Sequence, residues 1–108
     1  MARNGSSVRP KKWTNPINIY DDGVYSAVWG DYEEVPDKKC LGVRWNGADD
    51  DADDIGYPGL GGNPTWFVEP DHLTETILLD LREKVRKNPS HGNLNNISAA
   101  LDECESWD

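Results

Sequence analysis

Residues 17–33, INIYDDGVYSAVWGDYE, decide the fold. Two β-rich runs flank Asp22-Gly23, and Asp-Gly supplies the positive φ angles that a tight type I′ hairpin turn requires. Strands are expected over about 17–21 and 24–33. Along the second, Tyr25, Ala27 and Trp29 alternate with Val24, Ser26 and Val28, the period of two that marks a sheet. Pro36, in the turn sequence VPDKK, ends the pairing.

Further along, CLGVRWN (40–46) reads as a third strand, with Leu41, Val43 and Trp45 on one face and Cys40, Gly42 and Arg44 on the other. Residues 47–64 read as a long loop, acidic first and glycine-rich afterwards. TWFVE (65–69), between Pro64 and Pro70, reads as a fourth strand. The period then changes. In DHLTETILLDLREKVRKN, Leu73, Ile77, Leu81 and Val85 recur every four residues, with Thr74 and Leu78 beside them, as one apolar helical stripe. Asp71 is expected to cap this helix, and Asn88-Pro89 to stop it. A shorter helix follows, with a stripe of Leu94, Ile97, Leu101 and Cys104 and a cap at Asn93. Acids near its end oppose the helix dipole, so Trp107 is expected to anchor it.

The order β-β-β-β-α-α predicts an α+β fold: an antiparallel sheet of about four strands packed by two C-terminal helices. A single domain over 15–108 would follow a flexible basic arm over 1–14. Helices on one face leave the other face of the sheet for a partner subunit to cover, so a homo-oligomer, a dimer, is expected.

Charge is unevenly placed. Residues 1–12 carry Arg3, Arg9, Lys11 and Lys12 and no acid, so residues 13–108 carry 7 bases against 20 acids, a net of −13. Such a body repels nucleic acid and anionic lipid, whose binding depends on neutralising phosphate, and attracts a basic protein. No apolar run approaches the ~20 residues that span a bilayer. MARNGSSVRPKKW lacks the hydrophobic stretch of a signal peptide, so a cytoplasmic protein with two reduced thiols, Cys40 and Cys104, is expected.

The densest charge is GADDDADDIG, where Asp49, Asp50, Asp51, Asp53 and Asp54 fill five of six positions. Asp49, Asp51 and Asp53 match the first ligands of an EF-hand loop. However, Asp54 stands where the turn needs glycine and Leu60 where a bidentate acid is needed. A solvated acidic loop is therefore expected, with no metal. GYPGLGGNP has no lysine after its glycines and runs into a strand, which argues against a phosphate cradle and against any cofactor. Cys40, His72 and His91 carry no nucleophile signature and no zinc spacing. Ring-flanked acids such as Glu69, beside Trp66 and Phe67, are the better candidates for acid–base work, but the expected reading of Glu69 is an ordinary strand-end or helix-start acid.

CLGVRWNG and GGNPTWFVEPDHL resemble small uncharacterised proteins carried on mobile integron gene cassettes, in size, composition and general character over about half the chain. The resemblance implies a compact, self-associating α+β domain of an accessory bacterial protein, and it carries no functional residue across.

Together these readings point to noncatalytic binding. Asp49, Asp50, Asp51, Asp53 and Asp54 would supply charge. Trp29, Trp45 and Trp66, with Tyr25 and Arg44, would form an aromatic interface or pocket. The rival expectation is a small-molecule site or small enzyme with an aromatic pocket under the 56–64 loop.

Overall fold

A computed structural model describes residues 8–47, 53–60 and 62–107. Strands β1 (Trp13–Asp21), β2 (Tyr25–Tyr32), β3 (Cys40–Trp45), β4 (Gly59–Leu60), β5 (Asn63–Pro64) and β6 (Phe67–Val68) precede helices α1 (Asp71–Lys87) and α2 (Leu94–Glu105). The main sheet is antiparallel with order β1-β2-β3-β6, so the fold is the α+β arrangement expected.

The hairpin forms where expected, but its turn differs. Gly23 is left-handed (φ 90°), whereas Asp22 is not, so the turn is not type I′. The last pair is Asp21 opposite Ser26, and the wider loop is closed by aspartates. Asp22 Oδ1 accepts from the amides of Val24 (2.9 Å) and Tyr25 (2.8 Å), and Asp21 Oδ1 accepts from Gly23 N. Aspartate side chains that bond the backbone two residues ahead make such turns without a second positive φ.

β1 begins at Trp13, earlier than expected, and carries register shifts around Asn15 (φ 51°) and Pro16. A bulge and a proline on this outer strand blunt an otherwise pairable edge. At the opposite edge, only Phe67 and Val68 of the expected 65–69 strand join the sheet. A small β4–β5 hairpin interrupts what reads as continuous loop.

The period of two along β2 and β3 sorts side chains onto two packed faces. Ala27, Trp29, Leu41 and Val43 join Leu78, Leu81, Val85, Ile97 and Leu101 beneath the helices. Val28 and Cys40 point the other way, into a second cluster with Val8, Trp13 and Trp66. The chain therefore covers for itself the face that alternation left open. Within the expected arm of 1–14, Val8 is instead packed: it is only 1% exposed and its carbonyl accepts from Trp66 Nε1. Residues 1–7 lie outside those described. Gly42 allows this layer to close, since a Cβ there would stand 2.9 Å from the Trp13 ring and 3.0 Å from Trp66 Cβ.

Helix ends follow partly from sequence. Asn93 caps α2 through Asn96 N, as expected. In α1 the cap is Pro70 and Asp71 is the first helical residue, with no side-chain cap. The buried face of α1 is Thr74, Leu78, Leu81 and Val85, while Leu73 is exposed and Ile77 half-buried. Steps of four overshoot a helical turn by about 40°, so the stripe from Leu73 winds into the core and leaves its beginning outside. Trp107 anchors the acidic end of α2 by stacking on Trp29 (5.8 Å, 16°), with Lys38 Nζ 4.6 Å from its ring centroid. Among the described residues no helix is long and apolar enough to cross a membrane.

Candidate functional site

The three tryptophans expected to meet do not. Trp29 lies under the helices, Trp66 lies in the opposite layer, and Trp45 is 54% exposed at the end of β3. Tyr25 and Trp45 do come together. They face each other across β2 and β3, flanked by Asn46 N donating to Val24 O, in the close, non-hydrogen-bonded type of pair. Their ring centroids are 5.0 Å apart and the rings meet edge to face. On its other side Trp45 pairs with Tyr57 through two backbone bonds (2.7 and 3.0 Å). Directly opposed residues project to the same face, so Tyr25, Trp45 and Tyr57 form a cross-strand aromatic ladder. Tyr57 is 67% exposed, and Val24 and Phe67 are exposed apolar residues elsewhere on the hairpin and β6. Nothing in the sequence marks Tyr57, because it sits between Gly56 and Pro58 in an apparent loop and no alternating pattern surrounds it.

Arg44 defines the edge of this surface from below. It is 1% exposed and donates to the carbonyl oxygens of Pro58 (3.1 Å), Thr65 and Ile55. Its guanidinium thus fills the space beneath the loop, where an aromatic pocket was one expectation, and holds that loop to the sheet. Asp54 Oδ1 accepts from Gly56 N at 2.9 Å, and Gly47 and Gly56, both left-handed, permit a close neck. A Cβ on Gly47 would stand 2.5 Å from Asp54 O, and one on Gly56 would strike the Trp45 carbonyl. Gly47 and Asp54, which bracket most of the aspartate run in sequence, thus approach each other beside Trp45 and Tyr57. Asp49, Asp50 and Asp51 lie outside the described residues, and Asp53 is exposed.

Between this end of the sheet and α1 lies a groove of about 630 Å³, lined by Tyr20, Tyr25, Trp45 and Ile77 together with Asp22 from the hairpin and Asp80 from α1. Asp22 Oδ2 accepts from Tyr20 Oη at 3.0 Å. Burial would raise the Asp22 carboxyl, but the amides of Tyr25 and Val24 and the Tyr20 hydroxyl outweigh it and hold it below the usual range. Burial, and then the carboxylates of Glu69, Asp22 and Asp80, push the Tyr25 hydroxyl up to about 12. A negative field thus converges on an aromatic wall. Burial also raises the Glu69 carboxyl.

The nucleophile candidates are separated. Cys40 packs in the second layer, whereas His91 lies edge-on to Tyr20 on the first. Burial pushes both thiols up, Cys104 to about 11, which suppresses the thiolate that reacts. Among the described residues no three His, Cys, Asp or Glu side chains converge as a metal site. Family models, curated proteins and solved structures were all compared with this chain, and none matches it.

Proposed function

We propose that this protein is a noncatalytic binding protein that recognises a basic protein partner through the Tyr25–Trp45–Tyr57 ladder. The supporting observation is the position of that ladder. The Trp45 and Tyr57 rings are exposed beside Gly47 and Asp54, which bracket most of the aspartate run in sequence, and the α1 groove is lined by Tyr25 and Trp45. Exposed aromatic side chains on rigid elements are the residue type that carries most contact energy in interfaces. The surrounding negative charge would speed encounter with a cationic surface and select against anionic ones. Buried, proton-retaining thiols suit a cytoplasmic setting and leave little for nucleophilic chemistry.

Self-association would use the same ladder, since the opposite face of the sheet is already covered by residues 8–13 and Trp66. The test is binding of a basic peptide by wild type and by Trp45→Ala, at low and high salt. The reading requires binding that weakens as salt rises and falls about tenfold or more on losing Trp45. Equal binding by the two proteins would refute it. Sedimentation at rising concentration reads self-association separately.

A further inference from the structure

We propose that the groove between α1 and the hairpin end of the sheet is a receptor for a lysine side chain of that basic partner. The alkyl stem would lie against Trp45 and Tyr25, and the ammonium between Asp22 and Asp80. This inference rests on the binding reading above and specifies its chemistry.

The groove, at about 630 Å³, is within the size range of pockets that enclose ligand groups. Its walls combine two features that an amphipathic cation requires. Tyr25, Trp45 and Ile77 offer apolar surface to a methylene stem, and an aromatic ring within about 6 Å attracts an ammonium. Asp22, from the hairpin, and Asp80, from α1, both line it, and both carboxylates act on the Tyr25 hydroxyl.

The Asp22 carboxylate favours a point charge over a planar fork. Asp22 Oδ1 already accepts two amides, and Oδ2 accepts the Tyr20 hydroxyl. That leaves room for a single further donor and none for the paired bonds through which a guanidinium gains its advantage. The groove also already accommodates an ammonium of its own chain. Lys84 Nζ lies 2.8 Å from Asp80 Oδ2, four residues along α1. Both partners are more than half exposed, and such helical pairs are weak, so an incoming lysine can displace it. Lys84 is thus a resident competitor that marks the position of the guest.

The test uses the whole protein and short Lys/Gly/Ser peptides. One peptide carries lysine, one arginine in its place, and one Nε-acetyl-lysine. The lysine peptide should bind more tightly than the arginine peptide, and acetylation should cost tenfold or more, about 1.4 kcal/mol. Asp80→Asn, at an exposed helical position, should weaken lysine binding about fivefold to tenfold, and Asp22→Asn should act similarly. Lys84→Met should strengthen binding about twofold by removing the competitor.

Equal or tighter binding of the arginine peptide, retained binding after acetylation, or indifference to Asp80→Asn would overturn the proposal. If the peptides still require Trp45 in those cases, the broader reading of a basic partner stands and only the lysine receptor falls. If no basic peptide binds through Trp45, both fall.

Discussion

Replacing Arg44 by methionine should release the loop that frames the ladder without unfolding the domain. In the structure, one buried guanidinium holds the carbonyls of Ile55, Pro58 and Thr65. Hydrogen bonds to a charged donor contribute about 1.5–3 kcal/mol each, and carbonyls left buried without a donor cost about as much. Against this, methionine removes the several-kcal/mol cost of keeping a cation out of water. The expected net loss is therefore about 2–4 kcal/mol, smaller than the ~5–15 kcal/mol that stabilises a typical domain. At about 5 °C per kcal/mol, the melting temperature should fall by about 10–20 °C. Lysine in the same place keeps a charge but cannot span all three carbonyls, so Arg44→Lys should fall between. Urea denaturation gives the global number. Amide hydrogen exchange gives the local one, because the Trp45 and Tyr57 amides bond each other's carbonyls across the neck. They should exchange faster in Arg44→Met by more than the global loss accounts for. A loss below about 1 kcal/mol, with Tyr57 as protected as before, would mean that the backbone bridge alone holds the loop, and the reasoning would fail.

Two further outcomes test the interior. Gly42→Ala places a methyl against Trp13 and Trp66 and should cost about 1–3 kcal/mol in urea denaturation; no change would mean that the second layer is loosely packed. Alkali should destabilise the protein. The Cys104 thiol ionises near its ordinary 9.0 when unfolded but at about 11 when folded, so between these values the unfolded chain binds fewer protons. Its contribution is complete below about pH 9 and is lost as pH rises towards 11, with Tyr20 and Tyr25 extending the loss towards 12. Urea midpoints measured across this range should fall; a flat profile would contradict the burial assigned to these groups.

The residues that were legible in sequence are those whose neighbours obey a period. Alternation grouped Ala27 with Trp29 in β2 and Leu41 with Val43 in β3, and helical spacing grouped Leu78, Leu81 and Val85; the register of β2 on β3 brings all of them into one core. Trp107 was legible for a different reason, because an acidic helix end needs something to hold it. Features made by long-range closure were not legible. Nothing local distinguishes Val8 from a tail residue, yet its burial depends on Trp66, which is distant in sequence. Arg44 alternates as a strand residue should, but its carbonyl partners belong to a loop whose path no pattern encodes. The ladder was half legible. Tyr25 and Trp45 were singled out, whereas Tyr57 joins through one isolated bridge that period and propensity do not register. The expected meeting of Trp29, Trp45 and Trp66 failed for two reasons: Trp66 packs in the opposite layer, and Trp29, although on the same face as Trp45, sits opposite Leu41, four residues along β3.

The most direct measurement is a nuclear magnetic resonance titration of the labelled protein with a lysine-rich peptide, following the five tryptophan indole N–H signals. The account predicts that the Trp45 signal and the backbone amides of Tyr25, Tyr57 and Asp80 shift together and saturably, while those of Trp13, Trp29 and Trp66 stay in place. Shifts centred on the buried tryptophans, or none at Trp45 while the peptide binds, would contradict it.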